Sequence, residues 1–236
     1  MKIAIFSDIH GNYIALEAFV EILKSKKVDK LICLGDSIGY YPESEKVLSK
    51  LKNMEVYSLL GNHEYYLLNR KKINAEKVRV YNFENNWKSI SESNVDFIKN
   101  MPVSITLDVD GLELLFVHGS YNDSTFGYLY KDKIDEQQVS EQNFSICFCG
   151  HTHHSYVKQF DEKIIVNVGS IGLPRDIGNQ GSFVVYDTNQ KTINLERFKI
   201  NVSKIKTKYL GKVHYSVISV LSRNNKSKLN SLKVQL

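Results

Sequence analysis

The sequence has no long hydrophobic run and few cysteines. No stretch approaches the roughly 20 apolar residues that a transmembrane helix needs, and the apolar opening "MKIAIF" reaches Asp8 before a secretory signal could develop. The three cysteines, Cys33, Cys147 and Cys149, lie in apolar runs. Their odd number argues against a disulfide framework, and no second pair completes a zinc site with Cys147 and Cys149. We therefore expect a cytoplasmic protein whose first residues form a buried strand.

Acidic residues are missing from the C-terminal end. Residues 201–236 hold 8 of the 31 lysines and arginines and no Asp or Glu, so the net charge of +5 comes from this segment. We predict a domain over residues 1–200 and a basic extension over 201–236. Apolar residues at steps of four from Ile205 to Leu221 predict one helix packed on the domain, followed by a flexible end at 222–236. Weak contact with an anionic polymer is one interpretation of the charge, and a solvated basic face is the simpler one.

Two common catalytic motifs are also missing. There is no Gly-x-Ser-x-Gly elbow and no Gly-x-x-x-x-Gly-Lys phosphate loop. The hydrophobic content of 42% and charged content of 24% nevertheless suit a globular protein with a substantial core. If the chain is an enzyme, its catalytic groups must therefore come from other residues.

Apolar, β-rich runs predict eight strands, at residues 2–6, 30–35, 55–61, 103–109, 112–119, 145–150, 163–169 and 182–187. A helical pattern with Asn12 as its N-cap separates the first two, and a second helix opens near Pro42. The start of the chain therefore reads βαβαβ, which is typical of an α/β fold. Residues 65–100 read as a helical cap, and "DVDG" at 108–111 predicts a hairpin turn.

Five of these runs end in side chains that can bind a metal. They are Asp8 and His10, then Asp36, then Asn62 with His63 and Glu64, then His118, and finally His151 with His153 and His154. Because ligands bind beyond the carboxyl ends of strands in α/β folds, we expect about seven donors to meet. Carboxylate and neutral imidazole suit borderline divalent metals. Seven donors exceed one tetrahedral ion and fit a pair that shares a bridging carboxylate.

Asp8, Asp36 or His118 alone could be an N-cap, a turn former or a satisfied core residue. Burying them all together without a cation would cost several kcal/mol for each uncompensated charge. We therefore favour a metal site. His151 and His153, two positions apart in an extended chain, would point the same way.

The motifs "SDIHGN", "GDSIGYYP", "GNHE", "FVHGS", "GHTHH" and "VNVGSIGLPRD" resemble, in order and spacing, those of the calcineurin-like metallophosphoesterases. The resemblance covers about residues 1–200 and is strongest to the small bacterial and archaeal phosphodiesterase-type branch. It implies a four-layer α-β-β-α sandwich, with two central mixed β-sheets flanked by helices and a dinuclear centre at the strand ends. Val168 stands where the family motif usually has proline.

The resemblance also implies roles for the individual residues. One metal would be held by Asp8, His10, Asp36 and His153. Asp36 would bridge to a second metal held also by Asn62, His118 and His151. His63 would be the catalytic residue near the leaving group, and Glu64 would orient it.

The function implied is a metal-dependent phosphodiesterase, in which two divalent ions activate a hydroxide that attacks a phosphate ester. Manganese is the first candidate, with iron, zinc, cobalt and nickel as alternatives. A phosphomonoesterase with the same centre is the second hypothesis. A non-catalytic scaffold of the same fold ranks lower, because every ligand position is filled. Asn12, Tyr40 and Arg175 are the predicted substrate contacts.

Overall fold

The computed structural model describes residues 1–223 and 232–236, which form two β-sheets and their flanking helices. The strands are β1 (Lys2–Phe6), β2 (Lys30–Cys33), β3 (Tyr57–Ser58), β4 (Ser104–Val109), β5 (Leu112–Val117), β6 (Ile146–Cys149), β7 (Tyr156–Phe160), β8 (Lys163–Asn167), β9 (Gln180–Asp187), β10 (Thr192–Lys199) and β11 (Leu232–Gln235). The helices are α1 (Tyr13–Leu23), α2 (Ser44–Asn53), α3 (Asn62–Leu68), α4 (Ala75–Val80), α5 (Phe83–Ser89), α6 (Glu92–Lys99), α7 (Glu136–Ser140), α8 (Val202–Tyr209) and α9 (Tyr215–Val220).

Both sheets are mixed. The first sheet has the order β11-β10-β9-β1-β2-β3, in which β1, β2 and β3 are parallel and the other pairs antiparallel. The second sheet has the order β4-β5-β6-β8-β7, with β5, β6 and β8 parallel between antiparallel edge strands. The parallel strands β1, β2, β3, β5 and β6 are the ones that predicted donor residues follow.

The alternation of side chains along β1 shows how the layers form. Ile3 and Ile5 point into a core between the two sheets, which Phe116 and Phe148 of the second sheet complete. Successive strand residues face opposite sides, so Ala4 and Phe6 pack instead against the flanking helices, where the rings of Phe6 and Phe19 lie 4.7 Å apart.

Helices and loops cover the outer faces of both sheets. Alongside α1, residues of α2, α8 and α9 pack on the outer side of the first sheet. On the far side of the second sheet, Cys147 and Cys149 lie in a third core with Val139 of α7. All three cysteines are buried and unpaired. The four-layer sandwich with two central mixed sheets is confirmed.

A helical cap follows β3, as predicted. Helices α3 to α6 enclose a fourth apolar cluster around Leu67, Phe83 and Ile98. The predicted hairpin is also present, with Asp110 and Gly111 both at positive φ between β4 and β5. Within the described parts of the chain, no helix has the length and apolar character to cross a membrane.

The C-terminal extension differs from its prediction in two ways. The single predicted helix is two helices, α8 and α9, because the chain turns between them at Gly211, which has a φ of +78°. The predicted flexible end is wrong for its last residues, since β11 pairs antiparallel with β10 and extends the first sheet. The part of that prediction that concerns residues 224–231 lies outside the described residues.

Candidate metal centre

Backbone hydrogen bonds join the loops that follow four strands. The N–H of Asp8, just after β1, donates to the carbonyl of Gly35 after β2 over 3.0 Å, and the N–H of His10 donates to that of Asp36 over 2.9 Å. After β6, the N–H of Gly150 donates to the carbonyl of His118 over 2.9 Å. These bonds join β1 to β2 in the first sheet and β5 to β6 in the second. The N–H of His151 donates to Oδ2 of Asp8 over 3.0 Å and links the two sheets, so distant residues share one buried site.

The first group of donors comprises Asp8, His10 and His153, all 2% exposed or less. The Nε2 atoms of the two histidines lie 3.1 Å apart. Oδ1 of Asp8 is 3.1 Å from Nε2 of His153 and 3.5 Å from Nε2 of His10. Three donor atoms therefore converge on one point.

The second group comprises Asp36, His118 and His151, with Asn62 beside them. Nε2 of His118 lies 3.0 Å from Nδ1 of His151, 3.1 Å from Oδ1 of Asn62 and 3.4 Å from Oδ2 of Asp36. The same Oδ2 atom lies 3.8 Å from Nε2 of His10. Asp36 is thus the carboxylate that faces both groups of donors.

Three imidazoles turn Nε2 toward the centre. Nδ1 of His10, His118 and His153 lies within 3.2, 3.1 and 2.6 Å of the carbonyl oxygens of residues 38, 34 and 173. Since a carbonyl only accepts, each Nδ1 carries the proton, and in the neutral ring Nε2 presents a lone pair. This backbone contact is also the usual way in which the tautomer of a metal-binding histidine is fixed.

The first group therefore brings lone pairs together with nothing to separate them. Nε2 of His10 faces Nε2 of His153, and Oδ1 of Asp8 is buried without a hydrogen-bond partner. Buried polar atoms without partners cost free energy. A divalent cation would satisfy all three atoms at once, so the residues present fit the metal that such a donor set implies.

The site's electrostatics favour ionised carboxylates and mostly neutral histidines. Burial opposes ionisation of Asp36, but the charge of His118 and its hydrogen bond hold the pKa of Asp36 well below the usual range. Burial and the charge of His118 lower the pKa of His151 to about 3. Burial and then the charge of Arg175 lower the pKa of His153 to about 4. These are the protonation states that metal ligands need.

His118 behaves differently. Burial alone would lower its pKa, but Asp36 raises it to about 9. In the metal-free protein a proton on His118 therefore competes with a cation for the second group, and binding of the cation would release that proton.

Five of the donor residues have left-handed backbone conformations, with φ between 52° and 63°. They are Asp8, His10, Asp36, His151 and His153. The expectation that His151 and His153 lie in an extended segment is therefore wrong, although the two do join different groups. A non-glycine residue held in the left-handed conformation costs roughly 1–3 kcal/mol, and such residues concentrate at functional sites. The backbone strain of these loops is therefore consistent with a functional donor cluster.

His63 lies beside both groups, at the start of α3. Its Nε2 is 3.9 Å from Oδ2 of Asp36, and its N–H donates to Oδ1 of Asp36 over 2.9 Å. The ring stacks on Tyr81 at 4.3 Å and lies 5.0 Å from the ring of Tyr40. Burial lowers the pKa of His63 well below its ordinary value, and its Nδ1 is buried with no hydrogen-bond partner.

Glu64 acts on the site through the backbone. Its carboxylate accepts the N–H groups of Asp36, Ser37 and Gly61 over 2.9, 2.7 and 3.1 Å. Among the hydrogen bonds of the described chain, none joins it to the His63 imidazole. Glu64 therefore fixes the loop that carries Asp36, and a role in orienting His63 stays a prediction.

The predicted substrate contacts divide. Asn12 is fully buried, accepts the N–H of Ala15 as a helix cap and donates to the carbonyl of Gly172, so its two polar side-chain atoms already have partners within the protein. Tyr40 and Arg175 do lie beside the donors, and Nη2 of Arg175 is 3.3 Å from Oη of Tyr40.

Two tyrosines at the site were missed from the sequence. Tyr81 comes from the helical cap and stacks on His63. Tyr128 comes from the loop after β5 and lies 4.0 Å from the ring of His151. Neither follows a strand directly, so the strand-end pattern that found the donors carries no signal for them.

The fold and the donor cluster together define a class of metal-binding phosphoesterase. A model of the calcineurin-like phosphoesterase superfamily domain matches residues 1–191, and the chain belongs to this superfamily.

The chain is also similar to individual proteins. The uncharacterized protein MJ0912 of Methanocaldococcus jannaschii is 27% identical over 220 residues, which cover 86% of this chain and 89% of that protein. Serine/threonine-protein phosphatase 2 of Escherichia coli is 25% identical over 192 residues, covering 70% and 86%. The crystal structure of a metallophosphoesterase from Sphaerobacter thermophilus has the same fold, with a TM-score of 0.78, 21% identity, and coverage of 94% of this chain and 99% of that one.

Proposed function

We propose that the protein is a phosphodiesterase that depends on two divalent ions, with manganese as the first candidate. The observation that carries the proposal is the convergence of buried lone pairs from Asp8, His10 and His153 beside a second donor group, with Asp36 facing both. Asp8, His10, Asp36 and His153 would hold one ion, and Asp36, Asn62, His118 and His151 the other. The bound ions would supply Lewis-acid neutralisation of the phosphate and activation of water.

The chain's own residues orient the ester. Arg175 lies at the mouth of the site, where its guanidinium could bind a phosphate oxygen while Tyr40 holds it in position. His63 is neutral in the free protein, because burial lowers its pKa. The negative charge of a bound phosphate would raise that pKa, so that the imidazole could give a proton to the departing oxygen. This assigns the leaving group to the side of Tyr81 and Tyr40.

A diester is favoured over a monoester by the rim of the site. Tyr128 is 54% exposed directly beside His151, so a second group attached to the phosphate would find a surface there. A phosphomonoesterase is the second candidate, supported by the likeness to a protein phosphatase of Escherichia coli. A scaffold without activity ranks third, since all seven donors and His63 are present.

The test compares bis(p-nitrophenyl) phosphate with p-nitrophenyl phosphate after the metals have been stripped and restored singly. We expect no activity on either ester in the stripped protein. After manganese is restored, we expect faster hydrolysis of the diester, measured as kcat/KM. Faster hydrolysis of the monoester would favour the phosphatase instead. If no restored metal gives activity on either ester, the non-catalytic scaffold is the remaining hypothesis.

His63→Ala tests the role of the imidazole in the same assay. Loss of a positioned proton donor costs about 10²–10⁴-fold in rate, so we expect kcat to fall by that factor. Bound metal, measured by elemental analysis, should stay at the wild-type level because His63 is not among the seven proposed ligands. Unchanged turnover would contradict the assignment.

Two further parts of the proposal concern the whole protein. We assign it to the cytoplasm, supported by three cysteines that are buried and unpaired. The basic extension would give weak contact with an anionic polymer through Lys204, Lys206 and Lys212, which are exposed on and after α8. Salt-dependent binding to nucleic acid would test that contact.

A further inference from the structure

An exposed aromatic ring stands at the edge of the metal centre. Tyr128 is among the most exposed large apolar side chains of the described chain, yet its ring centroid is only 4.0 Å from that of the proposed ligand His151. The ring of Tyr130 lies parallel to it, with an interplanar angle of 1° and centroids 5.8 Å apart. Exposed apolar surface often marks a binding site. The position of this ring beside the proposed metal centre therefore indicates that it contacts a ligand.

The loop holds these two rings outward. Leu129, between them, is buried in the core beneath the second sheet, and its carbonyl accepts a 2.7 Å hydrogen bond from Oη of Tyr156. Tyr128 and Tyr130, on either side of this anchor, remain at the surface. The ring of Tyr128 is therefore positioned before any ligand arrives, which lowers the entropy cost of binding.

The loop is also fastened at its start. The N–H of Gly119 donates to the carbonyl of Ser124 over 2.7 Å, and that of Ser120 donates to the carbonyl of Asp123 over 2.8 Å. The carboxylate of Asp123 then accepts the N–H of Phe126 over 3.0 Å. A loop with this many internal bonds holds a fixed shape between His118 and the two rings.

A cation shares the opening with Tyr128. The N–H of Arg175 donates to the carbonyl of His153 over 3.1 Å, so this residue adjoins the donor cluster. Burial raises the pKa of Tyr128, and the charge of Arg175 lowers it. Arg175 also acts on His153 and bonds to Tyr40. The mouth thus combines a phosphate-binding cation and a flat ring on the side of His151, whereas His63 lies on the side of Tyr81.

We propose that Tyr128 is the stacking platform for a nucleobase, so that the substrates are phosphodiesters in which the group retained on phosphorus is a nucleoside. This inference rests on the phosphodiesterase function proposed above. Every base has a face that stacks on an aromatic ring, and such stacking is sequence-tolerant. With the leaving group near His63, the retained group points toward His151 and Tyr128. In the reaction, water adds to phosphorus, the bond to the leaving oxygen breaks, and a nucleoside monophosphate and an alcohol result.

The experiment uses two diesters that share one leaving group. Thymidine 5′-(p-nitrophenyl phosphate) and methyl p-nitrophenyl phosphate both release p-nitrophenolate, and only the first carries a base. The wild-type, manganese-loaded protein should prefer the nucleoside ester in kcat/KM. Tyr128→Ala should lower that preference about ten-fold, and Tyr128→Phe should keep it because the ring remains. The ratio of the two rates is independent of how much enzyme is folded or metal-loaded.

Tyr215→Ala is the matched control, since Tyr215 is 79% exposed on α9, outside the site. It should leave the preference unchanged. An equal loss on both esters in Tyr128→Ala, or no change in the ratio, would overturn the inference while the phosphodiesterase function stands. If the wild-type protein hydrolyses neither ester, the proposed function fails and the inference falls with it.

Discussion

Gly39 leaves the space in which the His63 imidazole lies. Its φ is +89°, and a Cβ at this position would collide with Nδ1 and Cε1 of His63. A side chain here would therefore displace the ring from the donors. We expect Gly39→Ala to lower kcat about 10²-fold, as loss of a positioned acid does, while elemental analysis finds the normal metal content.

Gly111 provides the control for backbone strain. It has a similar φ of +81°, but no atom of the described chain would lie within 4 Å of a Cβ added there. Gly111→Ala should destabilise the protein by about 1 kcal/mol and leave kcat unchanged. If both variants lose turnover equally, strain rather than displacement of His63 is responsible.

Asp176 and Arg197 form a buried ion pair behind the loop of Arg175. Nη2 of Arg197 is 2.6 Å from Oδ2 of Asp176, which also accepts the N–H of Ser155 over 3.1 Å. Burial raises the pKa of Asp176, but the bond to Arg197 lowers it below its ordinary value overall. Asp176→Asn removes the carboxylate charge beside this buried guanidinium, so we expect a loss of about 3–5 kcal/mol in the free energy of unfolding at pH 7.

The pH dependence of that loss of stability follows from the direction of the pKa shift of Asp176. Because the folded pKa of Asp176 is depressed, the stabilisation is complete above the unfolded value of about 3.9 and disappears as the pH falls through the folded value. Urea unfolding from pH 7 to pH 3 should therefore show the difference between wild type and Asp176→Asn shrinking below about pH 4. Asp96→Asn, which breaks an exposed pair with Lys99, should change stability by less than about 0.5 kcal/mol throughout. A difference that grows in acid would refute the assignment.

For individual residues, the sequence predicted the metal-donor side chains better than the roles of the residues around them. Asp8, Asp36 and His118 could be found because each ends an apolar run, and the topology then brings those ends together. The task of Glu64 and the burial of Asn12 depend on which backbone N–H and carbonyl groups lie nearby in the folded chain. Sequence spacing does not contain that information.

Among the elements, the helical cap has the most direct effect on the site. Tyr81, between α4 and α5, stacks on His63 with an interplanar angle of 28°, and its carbonyl accepts the N–H of Tyr40 over 2.7 Å. The cap therefore holds the imidazole from the side away from the donors. An aromatic pair of this kind contributes about 0.5–1.5 kcal/mol.

Tyr81→Leu tests that contact. We expect kcat to fall by up to about ten-fold with KM unchanged, because the ring orients His63 and does not bind the substrate. Tyr81→Phe keeps the stacked ring and should stay within about two-fold of wild type. A rise in KM with kcat unchanged would mean instead that Tyr81 contacts the ester.

Strands were predicted where apolar residues run continuously and missed where they alternate with polar ones. All eight predicted runs contain a strand, whereas lysine, glutamine or glutamate interrupts the apolar residues of β7 and β10 and alternates with them in β11. The steps of four between Ile205 and Leu221 predicted one helix because the pattern ignores Gly211, whose positive φ ends α8 and redirects the chain. A periodic pattern of apolar residues shows which side of a segment is buried. The same spacing can continue across a turn between two helices, so it does not show that the segment is one helix.

For the whole molecule, the arrangement of the two sheets makes the centre. The first sheet contributes Asp8 and Asp36 from β1 and β2, and the second contributes His118 and His151 from β5 and β6. Neither sheet has a complete set of donors, so the site exists only when the core between them has formed. The sandwich itself was predicted through the resemblance to a family, because strand patterns alone do not say which strands share a sheet.

The extension is part of this architecture. Tyr209 of α8 is 1% exposed, and its hydroxyl donates to Glu43, which lies just before α2 and also pairs with Lys208 at 2.9 Å. The ring of Tyr41 is 5.3 Å from that of Tyr209. The C-terminal helices therefore support the segment that carries Tyr40 into the site.

A calorimetric titration of metal-stripped protein with Mn²⁺ tests the shared metal centre itself. We predict about two ions bound per chain and release of a proton from His118 on binding. We also predict that Asp36→Ala abolishes binding of at least one ion, because that carboxylate faces both donor groups. A wild-type protein that binds no Mn²⁺, or an Asp36→Ala variant that binds it as the wild type does, would contradict a centre built around Asp36.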